Sequence, residues 1–269
     1  NINARNALQA LGFSADAASY IVVNQGYDDP QDYALLTNEE ASNACKITRR
    51  PGGVNNNQVA NAGHMVSMKA ENNLKLFCYY QRYRQRTSRP LSMLSGTPAK
   101  IRNYHALARM EDDHKDPTPP ELSFKSWSRT IDVIEDYLRN CLGSTKIPLA
   151  HVIREDREPK PNEVDPEANY PSFSDELIAR APHYELDEDG NRTLSQVYKD
   201  DNIIVFNKLS DLLRDKDCWT YMQHATRPRD GRSAFYGLKN HYLGKNNVDN
   251  LASQAERLLQ TTTYTNEGR

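Results

Sequence analysis

The chain has 269 residues, of which 38% are hydrophobic and 26% are charged, with a formal net charge of -2 and a mean hydropathy of -0.82. It is long enough to bury a sizeable core, but this polar composition predicts exposed linkers beside modest domains. No run approaches the roughly 18 apolar residues of a membrane span, and the first residues lack the pattern of a signal peptide. We therefore expect an intracellular, cytoplasmic protein, and nothing in the composition argues against the nucleus.

Residues 1–50 are predicted to form a small bundle of four short helices. Thr37 and Glu40 have the spacing of a capping box at the start of one of them. In number and length these helices resemble sterile-alpha-motif or helix-hairpin-helix scaffolds, which implies a docking module. Residues 51–66 follow, and their Pro, Gly and Asn content indicates a flexible linker.

Residues 67–154 are predicted to hold a basic helix and a first helical lobe. From residue 72 to residue 110 there are eight basic side chains and no Asp or Glu, with aromatic residues between the arginines. This combination is typical of segments that bind phosphates and stack on bases, although it also fits a solvated basic face beside an acidic partner elsewhere in the chain. The aromatic candidates are Phe77, Tyr79, Tyr80 and Tyr83. The candidate nucleic-acid contacts are Arg82, Arg84, Arg86, Arg89, Lys100 and Arg102.

The first lobe is predicted around the clearest amphipathic helix in the sequence, which Gly143 can end. Its core residues are predicted to be Trp127, Ile131, Ile134 and Leu138. Residues 155–192 are rich in acidic side chains and prolines, which predicts an exposed linker between two lobes.

Residues 193–269 are predicted to form a second lobe that ends in a helical hairpin. The stretch AFYGLKNHYLG forms the first helix, and Gly244 stands where a left-handed residue often ends a helix. The apolar residues of the next stretch repeat the helical spacing. The core residues of this lobe are predicted to be Leu209, Leu212, Phe235, Leu238, Tyr242, Leu251 and Leu258.

No motif of a common enzyme class is present: the sequence has no Gly-rich phosphate loop, no HExxH and no nucleophile elbow. The four cysteines and seven histidines lack metal-ligand spacing, which predicts buried thiols and hydrogen-bonded or surface imidazoles. We expect no catalytic residues, metal, cofactor or small-molecule substrate, while an enzyme of unrecognised type stays open as a lesser hypothesis.

Three stretches, FKSWSRTIDVIEDYLRNCLGSTKIPLAHVIRE, DCWTYMQHATRPRDGRSAFYGLKNHYLG and NNVDNLASQAERLLQTTTY, resemble the Gag-like region of copia-type retrotransposon polyproteins, of the type common in unicellular algae. Ala234, Phe235, Leu238 and Tyr242 follow the AWxxLxxxY-like spacing of that family, with Phe235 where Trp is frequent. The resemblance implies an all-α, capsid-like protein that self-assembles around RNA, with Trp127, Ile134, Leu138, Phe235, Leu238 and Tyr242 in the core or at assembly contacts. The family's CxxCxxxxHxxxxC knuckle is absent, so either it follows residue 269 or the basic segment contacts the RNA.

Two functional hypotheses follow from these patterns. The first is a Gag-like structural protein whose partners are RNA and further copies of itself. The second is a cellular adaptor with helical docking modules, which captures a protein ligand and does not bind RNA.

Overall fold

A computed structural model gives the fold, and helices dominate the part of the chain that it describes, with 64% helix and 4% strand. The protein is therefore all-α, as predicted. The chain divides into two compact units: unit 1 contains residues 1–115 and unit 2 contains the described residues from 116 onward. The residues that the structure describes are 2–50, 63–123, 127–155, 157, 170–244, 252–253 and 255–259.

In the described part of unit 1, short helices surround one long helix. They are α1 (Ile2–Ala10), α2 (Ala15–Ser19), a π-helical turn (Tyr20–Asn24), α3 (Pro30–Leu35), α4 (Asn38–Arg49), α5 (Met68–Arg86), α6 (Pro98–Arg102) and α7 (His105–Asp112). The predicted capping box is confirmed, since Glu40 N donates to Thr37 Oγ1 and Thr37 N donates to the Glu40 carboxylate. Helices α3, α4, α6 and α7 all pack against α5.

The boundary predicted after residue 50 is wrong, because the first helices and α5 share a core. The rings of Tyr33 on α3 and Phe77 on α5 meet edge to face, with centroids 5.4 Å apart. Of the predicted linker 51–66, residues 51–62 lie outside the described residues. Its last part is held to α4, since His64 N donates to Thr48 O over 2.8 Å.

In the described part of unit 2, five α-helices accompany a two-stranded antiparallel hairpin. They are α8 (Trp127–Asn140), α9 (Ala150–Ile153), α10 (Phe173–Arg180), β1 (Tyr184–Leu186), β2 (Arg192–Leu194), α11 (Gln196–Leu213), a 3-10 helix (Asp217–Ala225) and α12 (Gly231–Leu243). In the strand register Tyr184 pairs with Leu194. No helix in the described part of the chain is both long and apolar enough to cross a membrane.

The prediction that an exposed linker, residues 155–192, separates a first lobe around α8 from a second lobe around α11 and α12 is also wrong. Apolar residues from α8, α9, α11 and α12 form one continuous core. Residues 170–192 of the predicted linker contribute α10 and β1 to the same unit, and Leu177 on α10 is 3% exposed. The remainder of that linker, residues 156 and 158–169, lies outside the described residues.

The first helix of the predicted C-terminal hairpin is confirmed as part of the core. The prediction that the second helix also contributes to the core is wrong. Phe235 and Leu238 on α12 are fully buried, whereas Leu258 is 66% exposed. Gly244 ends α12 in an extended conformation, with φ of -66° and ψ of 150°, and not in the predicted left-handed one. Leu251 lies outside the described residues.

Candidate nucleic-acid interface

The aromatic residues of the basic segment form the core of unit 1. Phe77, Tyr80 and Tyr83 are fully buried and Tyr79 is 6% exposed. The Tyr80 and Tyr83 rings both meet the Tyr104 ring edge to face, with centroids 5.1 Å and 5.0 Å away. Base stacking needs an open ring face, so the prediction that these rings stack on bases is wrong.

Arg86 takes part in a buried ion pair. Its Nη1 lies 3.1 Å from Glu111 Oε2, and the two side chains are 9% and 11% exposed. The Tyr79 hydroxyl also donates to Glu111 Oε1. Burial is the largest single influence and would lower the pKa of Arg86, but the Glu111 carboxylate and Tyr79 together outweigh it and raise the pKa. The carboxylate therefore keeps this guanidinium charged inside the protein.

Burial corrects the assignment of two predicted RNA contacts. Arg86 faces Glu111, and Arg89 is 7% exposed, with its Nη1 donating to Thr87 Oγ1 over 3.1 Å. The acidic partner of Arg86 is Glu111, which directly follows the basic segment. At this position the alternative is correct about an acidic partner and wrong about a solvated face. Neither guanidinium is placed to reach a phosphate.

Two further arginines of α5 are half-buried and hold neighbouring backbone. Arg84 donates to Pro90 O from both Nε and Nη2, over 2.9 Å and 2.7 Å. Arg82 Nη1 donates to Leu36 O. These contacts fix the turn after α5 and the end of α3, and they leave each guanidinium only partly accessible.

The exposed cations of the basic segment, residues 72–110, lie on the two helices after that turn. Arg102 ends α6 and Arg109 lies in the last turn of α7, and both side chains are exposed. Lys100 is half-buried, and its Nζ lies 5.8 Å from the centre of the Tyr80 ring. Of the predicted contacts, Lys100 and Arg102 therefore keep the exposure that phosphate binding requires.

The predicted assembly residues occupy the core of unit 2. Ile134, Leu138, Phe235 and Leu238 are 0% exposed and Tyr242 packs partly against them. Trp127 begins α8, but its side chain lies outside the described residues. These positions hold the unit together from within.

Unit 2 contains a buried polar network that sequence patterns do not show. His151 Nε2 lies 3.0 Å from Asp201 Oδ2, and Ser144 donates to Asp201 Oδ1 from its backbone N and its Oγ, over 2.8 Å and 2.9 Å. His183 Nε2 lies 2.8 Å from His151 O and 3.2 Å from His151 Nδ1. A Cβ at Gly143 would lie 2.3 Å from Asp201 Oδ2, so this position needs glycine.

The network links four places in unit 2. His151 lies on α9, His183 follows α10, Asp201 lies on α11, and Ser144 lies in the turn after α8. The side chains of His151, His183 and Asp201 are all 0% exposed. Since Ser144 Oγ donates to the carboxylate and not to an imidazole, the group lacks the nucleophile–base contact of a hydrolase. Among the described residues, no group of three or more His, Cys, Asp or Glu could hold a metal ion.

One sequence signal could have revealed Asp201. It stands in register with the buried stripe of α11, three residues after Tyr198 and four before Val205. An acidic residue on an apolar stripe needs a hydrogen-bonding partner. Its identity, His151, could not be read from the sequence because the two residues are 50 positions apart.

Comparisons of the chain with protein-family models, with curated proteins and with solved structures found no match. The all-α fold and the distribution of charge are therefore the basis for assigning a function.

Proposed function

We propose that the protein is a Gag-like structural protein that binds RNA through unit 1, associates with further copies of itself and has no catalytic activity. The observation that carries the proposal is the opposite charge of the two units. Residues 1–115 contain 14 basic and 10 acidic side chains, a net charge of +4, whereas residues 116–269 contain 20 basic and 26 acidic ones, a net charge of -6. An RNA backbone is attracted to the first and repelled by the second.

Accessibility supports a revised set of RNA contacts. Lys100, Arg102 and Arg109 are the principal cations, and Arg84 adds a partly accessible guanidinium. Arg86 is excluded because it is buried against Glu111. The aromatic rings are excluded because they are buried in the core of unit 1. Binding is therefore through phosphates and tolerates many RNA sequences.

The opposite charges also support self-association. A molecule with a positive and a negative unit attracts its own copies in a head-to-tail arrangement. One RNA strand that binds several copies through part of their positive units would raise the local concentration of protein. Assembly is therefore expected to depend on RNA and to weaken as salt screens the charges.

The salt dependence of binding to single-stranded RNA tests the phosphate contacts. Four contacts give a slope of log K against log salt of about -3, since each contributes about -0.7. Replacing two of them in Lys100→Gln/Arg102→Gln should reduce the slope to about -1.5. The matched control Lys199→Gln/Lys216→Gln removes the same charge from exposed positions of unit 2 and should leave the slope near -3. A flat salt dependence of the unmodified protein, or equal slopes for both variants, would contradict the proposed phosphate contacts. The absence of RNA binding at every salt concentration would favour the adaptor.

A further inference from the structure

The buried histidines of unit 2 admit one arrangement of protons. His151 Nε2 faces the Asp201 carboxylate, so it carries the hydrogen and donates it. His183 Nε2 faces the carbonyl oxygen of His151, so it also carries a hydrogen and donates it. His151 Nδ1 is then a bare acceptor that faces His183 Nε2 over 3.2 Å. Both imidazoles are neutral in this arrangement.

A proton added to either ring has no favourable position. On His151 Nδ1 it would point at the N–H of His183 Nε2, 3.2 Å away, and place two donors against each other. His183 Nδ1 is buried, and among the described residues no side chain or backbone group is bonded to it. A proton there would be a buried donor without an acceptor, which is unfavourable even before the cost of burying its charge.

We propose that the His151–His183 pair is an acid-sensitive switch: unit 2 is closed while both imidazoles are neutral, and it opens around α9 when either takes up a proton. This inference concerns the stability of unit 2 and does not depend on RNA binding. Opening would separate α9 from α11 and from the segment after α10, because the pair joins these three elements.

The charged groups around the pair favour protonation of His151 and oppose protonation of His183. Asp201 on α11 is the negative neighbour of His151, while Arg154 after α9 and Arg232 on α12 act as positive neighbours of His183. Other titratable groups on the surrounding elements include Tyr198 on α11, Asp230 at the start of α12, and Glu176 and Arg180 on α10, which pair with each other. The position of highest cost is therefore His183.

Burial lowers the pKa of both histidines. For His183 burial, with Arg154 next, lowers the pKa to about 2; for His151 burial lowers it although Asp201 partly opposes this. An unfolded histidine has a pKa of about 6.5. The folded state thus binds fewer protons than the unfolded state below pH 6.5, so stability is complete above that pH and is lost as the pH falls.

Intrinsic tryptophan fluorescence can measure this effect, because both tryptophans of the protein, Trp127 and Trp219, belong to unit 2. Urea unfolding of the full chain would be followed between pH 7.5 and pH 5.0, above the range where most carboxylates titrate. Below pH 6, each buried neutral histidine should raise the equilibrium constant of unfolding about tenfold for every unit that the pH falls. The two histidines together should raise it about 100-fold per pH unit.

The variant His183→Gln keeps an N–H donor for His151 O and cannot titrate, so the rise should fall to about tenfold per pH unit. The double variant His151→Gln/His183→Gln should show no rise of the unfolding constant over this pH range. His224→Gln, an exposed histidine of the same unit, should leave the 100-fold rise unchanged. An equal pH dependence in the unmodified protein and the double variant would overturn the proposal.

Nitrogen NMR of the unmodified protein provides a second test if the double variant does not fold. Both imidazoles should show the neutral form with hydrogen on Nε2 down to pH 5.5 in the folded state. Ordinary titration of His151 or His183 near pH 6.5 without unfolding would overturn the proposal.

Discussion

Units 1 and 2 each bury a group of titratable side chains, but unit 1 buries an ion pair whereas unit 2 buries two neutral imidazoles beside a carboxylate. Arg86 and Glu111 compensate each other's charge at 3.1 Å. His151 and His183 have no such compensation between them and stay neutral. Since imidazole is the side chain whose ordinary pKa lies near neutral pH, the comparison teaches that acidity should act on unit 2 first.

Among substitutions of charged side chains, the largest expected effect is in unit 1. Glu111→Gln leaves Arg86 buried without this counter-charge, which should destabilise unit 1 by about 3 kcal/mol. Amide hydrogen exchange in α5 measures the loss. Asp113→Asn, an exposed neighbour of the same charge, should change exchange by less than about 0.5 kcal/mol. Equal protection in the two variants would show that the buried pair does not stabilise the unit.

A smaller effect is expected from the carboxylate of unit 2. Asp201→Asn keeps the size of the side chain but replaces an acceptor that serves Ser144 and His151, which should cost about 2 kcal/mol. Urea unfolding at pH 7.5, followed by tryptophan fluorescence, measures it. The adjacent exposed variant Asp200→Asn is the control and should differ from the unmodified protein by about 0.5 kcal/mol at most.

The smallest effect is expected after α12. Leu258 is 66% exposed, so Leu258→Ser should change the stability of unit 2 by less than about 0.5 kcal/mol. Leu238→Ala, at a fully buried position of α12, should cost about 3 kcal/mol in the same urea experiment. A loss of more than about 1 kcal/mol in Leu258→Ser would restore the predicted role of this residue in the core.

Local patterns predicted the helices well. The Thr37 capping box and the apolar stripe with Ile134 and Leu138 are formed by residues three or four positions apart, and neighbours at that spacing share a helix face. These signals also sufficed for the all-α class. The short hairpin of β1 and β2 was not predicted, because most of it lies in the acidic stretch 155–192 that was assigned to an exposed linker.

Contacts between distant residues were not predictable. The basic segment suggested an exposed surface, but Arg86 turns inward to meet Glu111, 25 residues later in the chain. The His151–Asp201 contact joins positions 50 residues apart. Charge counts describe how many cations a segment has, and only the packing of α5 shows which of them solvent can reach.

The most direct test of the proposed function is the mass of the 269-residue chain by light scattering during titration with single-stranded RNA at low and high salt. We expect growth into large particles at low salt, and its reversal when salt is raised. A particle mass that stays at that of one chain, with no change on adding RNA at any salt concentration, would contradict the proposal.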